Sequence, residues 1–380
     1  MEQLAKIFCL AAACLAAGAL PARAEFVKGV DLSLLQFIQD HGVEYQEAGQ
    51  VKDPLQIFKD HGVNYVRLRL FLAPNGKQGQ VNTLSYTLRM AKRVKAVGLK
   101  LLLDLHYSDD WADPGHQNLP AEWQGLSHPQ LVERVYAYTR ETLAAFRREG
   151  CSTDMVAVGN EITNGMLWPD GGPLSEVAKW NDSKNPQPAG DAKWDNLADL
   201  LKAGIRGVHN DDHSGSIKIM IHIDKGGSVA VSHWFFDHLL SRGVDFDVIG
   251  LSYYPFWHGS FADLRENLAS LSGAYKKDIM VVETGYDSGG GEQKKLPYPL
   301  TPEGQKAFLD ELFRTVAATP GERGQGVFYW APEWIMGKQW NAPKGSGQWE
   351  HRALFDQDGN ALPALNAFEF VPPPPLLKTP

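Results

Sequence analysis

From residue 25 onward, short runs of apolar, mostly β-branched or aromatic residues alternate with longer stretches whose apolar positions recur at helical spacing. Eight such runs stand out: Phe26–Asp31, Val63–Phe71, Lys100–His106, Met155–Glu161, Ile217–Asp224, Val248–Tyr254, Ile279–Gly285 and Gly326–Pro332. Between them, "LSYTLRMAKRVKAVG" predicts a helix with Leu84, Leu88, Ala91 and Val94 or Lys95 near one face, ending at Gly98. "HPQLVERVYAYTRETLAAFRREG" repeats that periodicity, and "TPEGQKAFLDELFRTVAA" opens with Thr301 as cap and Pro302 as first helical residue. Eight strands with seven clear intervening helices predict an α/β fold, a (β/α)8 TIM barrel with extended βα loops. A doubly wound open sheet would need a glycine-rich phosphate loop after an early strand, and none is present: "DSGGG" follows the seventh run and fits neither the dinucleotide nor the P-loop spacing.

The longest connections follow the third, fourth and seventh runs, so they leave the strand ends where such barrels build their sites. Collecting the last residues of each run gives Asp31, Arg69, His106, Glu161, His222, Asp224, Tyr253, Tyr254, Glu283 and Trp330. Two are glutamates directly at strand ends, and two facing carboxylates are the minimum equipment for glycosidic bond cleavage. One must hold a proton for the leaving oxygen while the other stays ionised, so their surroundings must differ. Arg69 is placed to keep one glutamate ionised, and Asn160 to fix a sugar hydroxyl or orient Glu161. A single glutamate at a strand end would be explained by a helix cap or a surface lysine; two need more.

Aromatic residues crowd the same segments: Trp111, Trp123, Trp168, Trp257, Trp330, Trp334, Trp340 and Trp349. About half are expected to pack loops for their area alone, with Trp168 and Trp330 the preferred platforms for sugar rings. In "HYSDDWADPGHQ" the two histidines stand ten apart without a helical pair or CxxC element, so no metal is expected there. His106, Asp109 and Asp113 are read instead as contacts to sugar hydroxyls. A serine nucleophile using His222 and Asp224 would want a GxSxG elbow, and none occurs.

Residues 1–24 read as a cleavable export signal: Lys6, then the apolar stretch Ile7–Leu20, then "ARA" at Ala22–Ala24. That predicts a secreted or periplasmic protein with no membrane attachment after cleavage; a lipoprotein reading through Cys14 is weaker because Ala11 precedes it by three. Of three cysteines, Cys9 and Cys14 fall in the signal, leaving Cys151 alone and no internal disulfide. A net charge of -8 argues against nucleic acid as partner. Residues 25–370 are expected to form the catalytic domain, as a monomer without cofactor, and the Pro-rich 371–380 a loose tail.

Taken together, "KGVDLSLL", "GVNYVRLRLF", "LLLDLHYSDDWADPGHQ", "VGNEITNGMLWPDG", "IHIDKGG", "IGLSYYPFWHG", "VVETGY", "FYWAP" and "ALFDQDGNALPAL" resemble glycoside hydrolase family 53, the arabinogalactan endo-β-1,4-galactanases. The resemblance runs from about Phe26 to Phe368. It implies a retaining (β/α)8 barrel with Glu161 as acid/base and Glu283 as nucleophile, acting on the β-1,4-galactan of pectin side chains. Arg69, Asn160 and Tyr253 become supporting contacts, the tyrosine bonded to the nucleophile. Two departures matter. The family usually has Glu-Pro after the Trp of the eighth strand, where this chain reads "WAPEW" with Ala331 and Glu333. Some bacterial members hold calcium after the seventh strand, but here that loop offers only Asp287 and Glu292 as acids, a poor oxygen cage, so no calcium is expected. The alternatives are a retaining mannanase or glucanase on the same barrel, or a glycan-binding receptor without catalysis.

Overall fold

The computed structural model describes residues 25–374 except 78, 176–189, 213, 291–295 and 336–349. Eight parallel strands close into a barrel: β1 (Val27–Asp31), β2 (Tyr65–Leu70), β3 (Lys100–Leu105), β4 (Met155–Val158), β5 (Lys218–Ile223), β6 (Val248–Ser252), β7 (Asp278–Glu283) and β8 (Gly324–Trp330). Each pairs with its sequence neighbours, and β8 closes onto β1 with Asp31 opposite Trp330. All eight apolar runs are therefore strands. The ring of helices is α1 (Leu35–Asp40), α2 (Pro54–Asp60), α3 (Leu84–Ala96), α4 (His128–Arg148), α5 (Asp191–Asp211), α6 (Val229–Ser241), α7 (Phe261–Tyr275) and α8 (Pro302–Ala317). The first crossover carries two short helices and each of the other six carries one.

Local chemistry starts these helices where the sequence placed them. Thr301 caps α8 by accepting from the Gly304 amide, with Pro302 in its first turn. Helix α3 is capped by Thr83 and followed by Gly98 at φ 77°, but its buried face is Tyr86, Thr87, Met90, Ala91 and Val94. Leu84, expected on that face, is exposed in the first turn, where the buried stripe begins only at Tyr86.

Inside the barrel, alternate residues of each strand point to the axis. The floor is apolar: Val27, Tyr65, Leu102, Met155, Ala157, Met220, Val248, Met280, Val282 and Phe328 pack together. Gly29 makes room for the Phe328 ring, which a Cβ there would approach to 2.1 Å. Above this floor the inward positions turn polar. In β2 the inward series is Tyr65, Arg67 and Arg69; in β3 it is Leu102 and Asp104, followed by His106; in β5, Met220 and His222 lead to Asp224.

At the other end, Phe26 meets Phe313 of α8 and Phe370 edge-on, and Phe370 stacks on Phe313 at 5.6 Å between ring centroids. Of the segment expected as a tail, residues 371–374 are described, with Val371 exposed, and 375–380 lie outside the described residues. The expected signal, Trp340 and Trp349 also lie outside them. Cys151 is a free, buried thiol. Among the described residues no helix is long and apolar enough to cross a membrane.

Candidate active site

Two local devices bring the glutamates into one cavity. After β4 the chain breaks at Gly159 (φ 91°), and Glu161 itself sits in the left-handed region at φ 47°. That sharp bend lets consecutive residues Asn160 and Glu161 both face inward. In β7 the pairing with β6 shifts register between Leu251 and Ser252, so Ser252 pairs with Glu283. Met280 and Val282 already point to the axis. The irregularity turns Glu283 inward as well, as a bulge does when it re-aims a side chain.

Glu161, His222 and Glu283 each present a ligand atom within 4.8 Å of the others, and both glutamates are 9% exposed. One oxygen of each carboxylate therefore lies within 4.8 Å of the other, which suits a retaining pair, whose carboxyl groups stand about 5–5.5 Å apart. The three atoms could bracket a cation, but two of them belong to the groups that glycosidic cleavage uses. The His106/His116 spacing makes no such cluster: His116 pairs with Asp113, and His106 with Asp104 at 3.0 Å.

Arg67 is the hub beside Glu283. It is almost fully buried and donates to Asp31 (2.9 Å) and Glu283 (3.3 Å) through Nη1, and to Asp104 (2.7 Å) and Asn160 (2.6 Å) through Nη2. The Tyr254 hydroxyl donates to Glu283 Oε1 at 2.9 Å, and the Tyr254 amide donates to His258 Nδ1. Burial is the largest influence on the Glu283 carboxyl and leaves it raised to about 7, with Asp31 and Asp104 adding to the rise, while Arg67 and Tyr254 pull it down. Among the described residues Glu161 has no such cation in contact. Burial raises it well above the usual range, and Glu283 and Asp224 raise it further. Of the pair, Glu283 loses its proton first and Glu161 keeps one.

Two expectations are corrected here. Arg69 does not hold a glutamate ionised: its Nε donates to Asn82, its Nη1 lies 3.7 Å from Asp31, and its guanidinium lies 4.3 Å over the Trp111 ring. Arg67, one inward position lower, has that part. Tyr253 does not reach the nucleophile either. Its hydroxyl donates to the Gly259 carbonyl and its ring packs on Phe261 of α7, because strand alternation turns it outward.

Other predicted contacts fall into two groups. Asp31, His222 and Asp224 are almost completely buried, with polar partners inside the protein. Asp31 accepts from Arg67 and the Ser33 amide. Asp224 binds Thr163 and pairs with Lys225 at 2.9 Å. They support the cavity wall rather than open onto it. Asp109 is half-buried, and its two oxygens accept from the Ala73 and Ala121 amides, tying two loops together. Asn160 is buried beside Glu161, fixed by Arg67 and by donation to the Ala112 carbonyl. Trp330 is half-buried between Trp111 and Trp334, at 6.3 and 5.7 Å. Trp168 is half-buried and donates to the Asn164 carbonyl.

The "WAPEW" departure has a definite place. Glu333 is buried behind the rim, accepts from the Leu34 amide at 3.0 Å, and is pushed up to about 8 by burial and the nearby Asp31. After β7, Asp287 pairs with Arg352 at 2.8 Å. The other acid of that loop, Glu292, lies outside the described residues.

A parallel barrel with an asymmetric glutamate pair at its strand ends defines a glycosidase-type site. The chain belongs to glycosyl hydrolase family 53, whose description it matches over residues 27–368. It is 41% identical to an uncharacterized protein from the bgaB 5' region of Niallia circulans, over 90% of this chain and 93% of that protein. It is 34% identical to an arabinogalactan endo-beta-1,4-galactanase of Thermothelomyces thermophilus, over 90% of this chain and 99% of that enzyme. Among solved structures, the Ignisphaera aggregans GH53 catalytic domain superposes with a TM-score of 0.79 at 35% identity, covering 92% and 97% of the two chains.

Proposed function

We propose that this glycoside hydrolase is an arabinogalactan endo-β-1,4-galactanase that retains anomeric configuration. The substrate assignment is carried by one observation: the likeness to the Thermothelomyces thermophilus galactanase, which spans 99% of that enzyme. The closeness of the two carboxylates supports retention. Glu283, kept ionised beside Arg67 and Tyr254, attacks the anomeric carbon of a galactosyl unit while Glu161 gives its proton to the departing oxygen. Glu161 then takes a proton from the water that attacks C1 and releases Glu283. Asn160 and the Trp330 wall are positioned to meet the sugar, and no cofactor enters any step. Export through residues 1–24 and action as a monomer belong to the same proposal; the apolar run and small-x-small site support the first.

The test is product analysis on unbranched β-1,4-galactan, with anomeric configuration followed by NMR. Oligosaccharides released first as the β-anomer are expected. Cleavage of mannan or cellulose but not galactan would reassign the substrate, and binding of galactan without cleavage would make the protein a receptor.

A further inference from the structure

His222 and Ser252 lie behind the acid/base and take no direct part in the chemistry above. Both are fully buried, so neither can contact sugar in this conformation. They form a chain: Asn160 Oδ1 to His222 Nδ1 at 3.0 Å, His222 Nε2 to Ser252 Oγ at 2.8 Å, and Ser252 Oγ to Glu161 Oε1 at 2.5 Å. Proton placement along this chain is decided at its far end. Asn160 cannot be flipped, since its Oδ1 accepts from Arg67, which only donates, and its Nδ2 donates to the Ala112 carbonyl, which only accepts. Oδ1 therefore faces His222 as an acceptor, and Nδ1 must carry hydrogen. The Glu161 amide also approaches Nδ1, but at 3.4 Å it is the weaker contact. Burial, followed by the Arg67 charge, keeps this imidazole neutral, so it has one hydrogen and Nε2 has a lone pair. The Ser252 hydrogen is then committed to Nε2, and Oγ turns a lone pair toward Glu161.

We infer that Asn160, His222 and Ser252 form a polarity-setting relay in which Ser252 accepts the proton of Glu161, holding the acid/base in its protonated form. His222 and Ser252 are thus positioning residues, an inference that rests on Glu161 being the acid/base. When Glu161 ionises after protonating the leaving group, the carboxylate faces an oxygen lone pair. The relay thereby also makes Glu161 a stronger base toward water in the second step. Charged groups contribute to the same balance: Glu283, Asp224 and Asp113 face Glu161 with negative charge, Arg67 with positive charge, and Tyr254 lies alongside. His222 is faced by Arg67, Asp104, His106 and His258. Ser252 is uncharged, so replacing it tests hydrogen-bond direction without altering that field.

The direct test is 15N NMR of the histidine ring nitrogens in the full chain, with His222 identified by its response to Ser252→Ala. A neutral ring with hydrogen on Nδ1 across mildly acidic to mildly alkaline pH is expected; hydrogen on Nε2, or an imidazolium, overturns the inference. The kinetic test is Ser252→Ala on β-1,4-galactan. If Ser252 accepts from the acid, the alkaline limb of kcat/KM moves down by about one pH unit. A limb that stays or moves up means Ser252 donates, and sinks the idea. On 2,4-dinitrophenyl β-galactobioside, whose leaving group needs no proton, the variant is expected to keep close to wild-type kcat/KM. Equal losses on both substrates would reduce Ser252 to a packing role. Should the wild-type chain cleave neither substrate, the galactanase reading fails, while the ring-nitrogen result still decides the relay.

Discussion

The two glutamates share their depth but not their company. Around Glu283, β2 and the end of β6 supply donors: a buried guanidinium, which can only donate, and a phenol that donates to the carboxylate. Around Glu161, β5 and the third loop supply Asp224 and Asp113, with a neutral imidazole and a hydroxyl behind. Burial alone would raise both carboxyls alike, so the division of labour comes from charge placement across about one strand spacing of the barrel rim.

The most severe way to break this asymmetry is to delete either carboxylate. Glu283→Ala is expected to cost on the order of 10^5-fold or more in kcat on galactan, the scale of losing a nucleophile. Glu161→Ala should cost about 10^2–10^4-fold, the usual worth of acid/base catalysis. Added azide sharpens the comparison into an assignment. With Glu283→Ala it should yield the α-galactosyl azide from an activated substrate, and with Glu161→Ala the β-galactosyl azide. Exchange of the two products would exchange the roles.

Removing the cation comes next. Asp104 is opposed by burial, yet Arg67 and then His106 hold its carboxyl well below the usual range. A depressed carboxyl adds stability that is present above its unfolded pKa and is lost as pH falls through the folded one. Arg67→Met leaves Asp31, Asp104 and Glu283 without their shared partner and should destabilise by about 3–5 kcal/mol near neutral pH. The gap should narrow in acid, where the Asp104 contribution of the wild type fades. Urea unfolding of both proteins across pH measures it, and a gap independent of pH would show that Arg67 acts through packing alone.

How much of this could be read in the sequence differs by level. The eight strands were legible because parallel strands covered on both faces are continuous apolar runs, and each run survived with its ends shifted by a residue or a few. Glu161 and Glu283 were legible as carboxylates at run ends. Arg67 and Tyr254 carried a signal that run ends conceal, namely alternation. Tyr65, Arg67 and Arg69 share one face of β2, and Gly250, Ser252 and Tyr254 share one face at β6, so Tyr253 had to point outward. The register shift that brings in Glu283 broke that alternation and could not be read from spacing. Nor could the burial of His222 and Asp224, whose partners Ser252, Asn160 and Thr163 come from other strands and loops.

The finest test separates the adjacent tyrosines. Tyr254→Phe keeps the ring that meets Phe256 and His258 but removes the hydrogen bond to Glu283. A hydrogen bond to a charged group contributes about 1.5–3 kcal/mol, so kcat/KM on galactan should fall about 10- to 100-fold on the acid side of the profile. The sign of the pH effect is fixed: Tyr254 favours the ionised nucleophile, its loss raises the Glu283 pKa, and the acidic limb moves up by about one to two units. Tyr253→Phe removes only a bond to the Gly259 carbonyl on the helix side. It should cost about 1 kcal/mol of stability and leave the acidic limb in place. Equal shifts in the two variants would mean that Glu283 responds to general loosening of the β6 end rather than to one phenolic proton, and the donor account of its ionisation would have to rest on Arg67 alone.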